Sequence, residues 1–133
     1  MAGDIDQDVL DFAHRMFDLA REGGTADLTA FVDEGVPVNL TNDKGDSLLI
    51  LAAYHGHAET VRALLDRGAD TGLVNVRGQT ALGAAVFRQS AETVTALLDA
   101  GADPGAGGPS ATEVAHFFAL VDMVALLDRR HRA

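Results

Sequence analysis

The sequence predicts an all-α solenoid, a single domain of stacked helix-turn-helix units joined by short hairpin-like turns. Three observations predict it. The chain repeats itself at a spacing of 33 residues, each period carries two apolar stretches at three- and four-residue steps, and a glycine closes the second stretch before a polar connecting segment. Self-similarity at a fixed period of this length marks stacked supersecondary units, each too small to bury its own apolar face.

Length and composition agree. At 133 residues, with 47% apolar and 23% charged residues and a formal charge of −10, the chain suits one soluble globular domain that buries about two-thirds of its unfolded surface. The absence of cysteine excludes zinc ribbons, iron-sulfur sites, thiol catalysis and disulfide scaffolds. Asp4, Asp6, Asp8, Asp11 and Asp18 stand where a secretory signal needs a basic start and an apolar run, and no stretch is apolar enough to span a membrane. A cytoplasmic, non-membrane protein is therefore expected. Acidic residues outnumber basic ones 9 to 2 over residues 1–42, 5 to 3 over 43–75 and 3 to 2 over 76–108, and the two signs balance at 3 each from 109 onward. Such a field repels phosphate backbones, so nucleic acid and anionic membrane are poor partners. The acid either keeps a small protein soluble or steers a basic partner.

Taken in order, residues 4–21 place Ile5, Val9, Phe12, Met16 and Leu19 at helical steps, with Asp4 to Asp8 near the positive helix end. This stripe is expected to cap the stack; the alternative is an exposed strip that pairs with a second chain. Residues 10–42 form a diverged first copy of the repeat, since a 33-residue shift lays Ala20 on Ala53, Gly23 on Gly56, Leu28 on Val61, Phe31-Val32 on Leu64-Leu65 and Gly35 on Gly68. In the second unit Leu48, Leu49, Leu51, Ala52 and Ala53 make a short first helix whose small residues admit a close neighbour. After a Gly56-His57 turn, Val61, Leu64 and Leu65 give a second helix, and Gly68 takes the left-handed cap. The third unit repeats this pattern: Gly45 falls on Gly78, Ser47 on Thr80, Leu49 on Leu82, Ala52 on Ala85, and Ala63-Leu64-Leu65-Asp66 on Ala96-Leu97-Leu98-Asp99. A shortened copy follows Gly108. There Ala125-Leu126-Leu127-Asp128 repeats Ala96-Leu97-Leu98-Asp99 at a spacing of 29, as though about one turn were deleted before the second helix.

The period, together with Gly45 and Ser47, Gly78 and Thr80, Leu51-Ala52-Ala53, Gly56-His57-Ala58-Glu59 and Leu64-Leu65-Asp66-Arg67-Gly68-Ala69-Asp70, resembles the ankyrin repeat over about residues 10–133. The resemblance implies an ankyrin-type α-solenoid of four units, at about 4–42 (N-terminal cap), 43–75, 76–108 and 109–133 (C-terminal cap). The family's Thr-Pro-Leu-His opening reads Ser47-Leu48-Leu49-Ile50 and Thr80-Ala81-Leu82-Gly83 here, so its histidine-centred bonds between units are missing and cohesion is expected to rest more on packing. Gln89-Ser90 replaces Gly-His in the third unit, and Phe117-Phe118 falls near the place of small alanines, as end-cap filling.

The resemblance also implies a protein-binding module without catalytic residues, cofactor or metal, whose contacts come from the turns between units and the exposed ends of the first helices. Carried over by position, the turns supply Leu40, Thr41, Asp43, Lys44 and Asp46, then Val74, Val76, Arg77 and Gln79. The helix ends supply Arg21 and Glu22, Tyr54 and His55, Phe87 and Arg88, three pairs that stacking sets side by side at 33-residue spacing. Tyr54, Phe87 and Arg88 are the expected anchors, because aromatic and arginine side chains desolvate much surface for little lost rotamer freedom. The competing reading is that both rings merely pack against neighbouring units. A monomer that takes an unidentified protein on its concave face is expected, with a weak dimer as the alternative.

Other chemistry finds less support. His55 and His57 are two apart, against the three- or four-residue step of a helical metal pair, and His57 is read as a structural part of its turn. His14, His116 and His131 form no spacing pattern. Asn39, Thr41, Asp43 and Asp46 cluster like calcium ligands, but Gly45 is out of register and no glutamate completes the loop. Gly101 to Gly108 lacks the ending of a phosphate loop and reads as an inter-unit turn, while Ser47, Ser90 and Ser110 sit at helix starts where capping explains them. A small hydrolase with an acidic cleft would need a pocket that shifts a carboxyl pKa, and a self-assembling structural protein would need an exposed sticky face; both stand as rivals to the binding module.

Overall fold

The computed structural model describes residues 7–132, with side chains placed through Arg129. Eight helices run along these residues: α1 (Gln7–Glu22), α2 (Thr25–Asp33), α3 (Leu48–Tyr54), α4 (Ala58–Asp66), α5 (Ala81–Phe87), α6 (Ala91–Asp99), α7 (Ala111–Phe117) and α8 (Val121–Arg132). They form four antiparallel pairs. Stacking aligns α1, α3, α5 and α7 in one row and α2, α4, α6 and α8 in a second, each helix packed on its neighbours in the row and on its own partner.

The repeat explains the rows. Ala20, Ala52, Ala53, Ala85, Ala111 and Ala115 are fully buried where first helices meet, and having only a methyl group they allow close approach. In the second row Leu28, Val61, Leu64, Val94 and Leu97 are all at 0% exposure, so Leu64 and Leu97 occupy equivalent environments one period apart. Ser47, Thr80 and Ser110 start α3, α5 and α7, each hydroxyl accepting from the backbone N–H three residues on, and Glu113 completes a capping box with Ser110. Ser90 departs from the capping expectation. It stands at the N-cap of α6, but its hydroxyl donates to Thr93 Oγ1 at 2.8 Å because that buried hydroxyl needs a partner.

The last unit is shorter in a different place from the one the spacing of 29 implies. Thr80 and Ser110, the caps of α5 and α7, are 30 residues apart, so three residues are missing from the turn that precedes α7, and the stretch between its two helices keeps its length. Gly56 (φ +79°), Gln89 (φ +58°) and Ala119 (φ +54°) take the same left-handed corner between paired helices, which fixes the register. Leu127 and Met123 thus occupy the places of Leu97 and Thr93, all four buried. Ala115, not the phenylalanine pair, fills the alanine position. Phe117 and Phe118 lie at the places of Phe87 and Arg88 and are exposed, so the expected end-cap filling is overturned.

Two further expectations change. In α1, Met16, Phe17, Leu19 and Ala20 are buried, while Val9 is exposed and Phe12 meets Phe31 edge-on at 5.0 Å, so only the second half of the stripe seals the stack. Ile5 and His131 fall outside the described side chains. Cohesion between units is also more polar than the missing histidine bonds suggest. His57 Nε2 donates to the Arg21 carbonyl at 2.7 Å, Thr25 and Thr60 share a hydroxyl bond at 2.6 Å, and Asn75 Nδ2 donates to Asp46 Oδ1 at 2.8 Å. Arg67 grips Asp33 with two bonds of 2.8 and 3.1 Å, and Arg62 pairs with Glu92. The fingers, as the turns between units project, bond directly to one another: Val76 N–H to the Lys44 carbonyl, and Gly108 N–H to the Gly78 carbonyl, both at 2.9 Å.

Candidate functional site

Each finger is shaped by one asparagine. Asn42 Oδ1 accepts from the N–H groups of Lys44 and Asp46, and Asn75 Oδ1 accepts from Arg77 and Gln79, which closes both tips into matching loops. The loops hold the side chains of Lys44 and Arg77 along one edge of a groove of about 890 Å³. Ile50 and Leu51 of α3 form its floor, Tyr54 and His55 its far end, and α1 its opposite wall through Leu10, Ala13, His14 and Phe17.

Of the positions the sequence points to, Arg21, Thr41, Asp43, Lys44, Asp46, Tyr54, His55, Arg77 and Gln79 line this groove together. Leu40, Val74 and Val76 of the turns do not, and neither do three of the helix-end positions. Glu22 lines an adjoining depression of about 280 Å³ with Asp11 and Arg15, which shares His14 and Asp18 with the groove. Phe87 turns its ring to Phe118, edge-on at 5.4 Å. Arg88 lies across the corner at Gly56, where an added Cβ would meet its Nε at 3.1 Å.

The wall made by α1 is the part the repeat does not announce. At 33-residue spacing His14 matches the cap Ser47, yet α1 begins seven residues earlier, at Gln7, and covers 16 residues where α3 and α5 cover 7. Where the other units carry a finger, the first unit carries a helix. The available signal was the helical spacing of Val9 and Phe12 at the start of the first repeat copy, which pointed to a helix but not to the face that looks into the groove.

Charge is distributed unevenly. Arg62 and Arg67 on the second-row side are tied to Glu92 and Asp33, whereas among the described residues Lys44, Arg77 and Arg88 make no ion pair. Arg21 holds Asp18 at 2.9 Å, both partly exposed. His55 stacks edge-on against Tyr54 at 5.4 Å; its burial against neighbours and the positive fields of His57, Arg21 and Arg88 hold its pKa below the ordinary histidine value. The Asp33 carboxyl is held below the ordinary carboxylate range by its bonds from Arg67, and Glu113 by the Ser110 backbone N–H it accepts. Among the described residues no group of three or more His, Asp or Glu side chains is placed to hold a metal ion, and no helix is long and apolar enough to cross a membrane.

Paired helices in two rows, with fingers that bond from unit to unit, define a helical-repeat solenoid with a groove beside its first two fingers. Residues 16–107, more than half of the chain, match the family model for ankyrin repeats in three copies, and the chain belongs to the ankyrin-repeat family. A curated Pseudomonas aeruginosa protein described as an ankyrin repeat protein is 52% identical over 59 residues, which is 44% of this chain and 34% of that protein. The match thus spans about a third of the relative's own length. Ankyrin repeats are in general modules for protein–protein interaction.

Proposed function

We propose that this chain is a non-catalytic binding module, an adaptor or inhibitor, that takes a segment of a partner protein into the groove between α1, α3 and the first two fingers. The observation that supports this reading is the convergence of nine of the fifteen expected contact positions on one groove. Tyr54 is its anchor. With 42% of its surface exposed at the end of the groove, it offers an aromatic face that a partner desolvates. Lys44 and Arg77 on the fingers and Arg21 on the helix row supply polar contacts around it, with Glu22, Phe87 and Arg88 extending the rank of helix ends beyond the groove. Of the carboxylates here, Asp18 is held by Arg21 and Asp46 accepts from Asn75, which supports binding over acid–base chemistry.

The test is capture of partners on the immobilised chain from a lysate of its host, with quantification of every protein retained. Tyr54→Ala combined with Arg77→Ala is expected to weaken capture by about thirtyfold or more, as loss of central anchors does. Glu59→Gln, on the exposed face of α4, is expected to leave it unchanged. Equal retention of the same protein by the groove variant discards this face as the binding site.

A further inference from the structure

The rank of helix ends that carries Tyr54 in the second unit continues through the third and fourth units as exposed aromatic side chains. Phe87 at the end of α5 and Phe117 and Phe118 at the end of α7 are 53, 82 and 51% exposed, and they touch one another edge-on, Phe87 to Phe118 at 5.4 Å and Phe118 to Phe117 at 4.9 Å. Val121, at the start of α8, continues the strip at 75% exposure. Scattered exposed aromatics are ordinary; a contiguous ridge of three rings and a valine is an interaction surface.

We propose that this ridge is a self-association surface through which two copies of the chain pair about a twofold axis. Two features select a second copy as the occupant. The first is area: at these exposures the three rings and the valine present roughly 450 Å², so an isologous contact buries about 900 Å² in all, the scale of a weak, reversible dimer. The second is the charge gradient. Acid exceeds base 9 to 2 in residues 1–42 and is balanced at 3 each after residue 108, so pairing through the C-terminal end puts the strongly acidic ends of the two copies far apart.

Sedimentation equilibrium of the full chain from about 10 μM to about 1 mM tests this, a range that brackets the affinity of so small an interface. The wild type is expected to fit a monomer–dimer equilibrium. Phe117→Ser, at a ring that contributes nothing to the core, is expected to weaken dimerisation by at least about tenfold with its thermal unfolding unchanged. Val121→Ser is expected to weaken it as well, while Glu59→Gln, on the exposed face of α4, leaves it untouched. A monomer across the whole range overturns the proposal, as do a dimer indifferent to Phe117→Ser and open-ended growth beyond the dimer, which is the mark of a head-to-tail contact.

Discussion

Gly78 is the position where the stacking of fingers is most exposed to test. Its backbone is left-handed (φ +80°), and an added Cβ is driven into the carbonyl oxygen of Gly108 and lies 3.1 Å from that residue's carbonyl carbon. Gly68 is also left-handed (φ +84°), yet a Cβ there meets nothing within 4 Å. Alanine at Gly68 therefore suffers only the backbone penalty, about 1 kcal/mol. Alanine at Gly78 suffers the same penalty, the loss of the Gly108 N–H to Gly78 carbonyl bond, about 1 kcal/mol, and the displacement of one finger from the next, about 1–3 kcal/mol. Gly78→Ala should thus destabilise by about 3–5 kcal/mol, which lowers Tm by about 10–15 °C in a domain of this size, against about 3–4 °C for Gly68→Ala. Urea and thermal unfolding followed by circular dichroism measure both. If the two variants agree within about 0.5 kcal/mol, the close finger-to-finger contact is wrong.

Two other positions give predictions of opposite character. Ala119 sits in a left-handed corner without being glycine (φ +54°), so Ala119→Gly should raise stability by up to about 1 kcal/mol; destabilisation in urea titrations would contradict the register assigned to the last unit. His55 has a folded-state pKa below the ordinary value, so as pH falls past that ordinary value the unfolded chain takes up its proton first and the folded state loses stability, the loss being absent above the ordinary value and complete below the folded one. His55→Gln removes this penalty. The variant should gain on the wild type in urea midpoint between about pH 7.5 and pH 5, and a difference that does not change with pH would contradict the cationic surroundings assigned to His55.

Much of the fold was legible because the repeat carries it. Leu64 and Leu97, Ala52 and Ala85, and Ser47 and Thr80 share environments as they share positions, since identical spacing places identical side chains against identical neighbours. The ends were harder. At the C-terminus the run Ala-Leu-Leu-Asp matches at 29 residues, but the helix turns by the register of its buried face, and the buried Leu127 answers to Leu97 at 30. A short motif of similar residues slides by one place more readily than a packed leucine does. At the N-terminus the helical spacing of α1 was plain, but its role as a groove wall arises from a helix standing where other units put a finger, which is a tertiary fact. The fingertip residues of the site followed from position alone, whereas Asn42 and Asn75, which shape those tips, act through local bonds to the backbone and carry neither the charge nor the aromatic ring that marks an anchor.

The central claim is that neighbouring helix pairs hold one another in place and that the groove exists only because they do. Amide hydrogen exchange of Leu97→Ala tests it most directly, since this side chain at 0% exposure packs α6 into the second row and its loss costs about 3–4 kcal/mol. Stacked units predict that protection falls in α3 and α4 on one side and α7 and α8 on the other, together with α5 and α6. Loss of protection confined to α5 and α6, with every other helix exchanging as in the wild type, would contradict it.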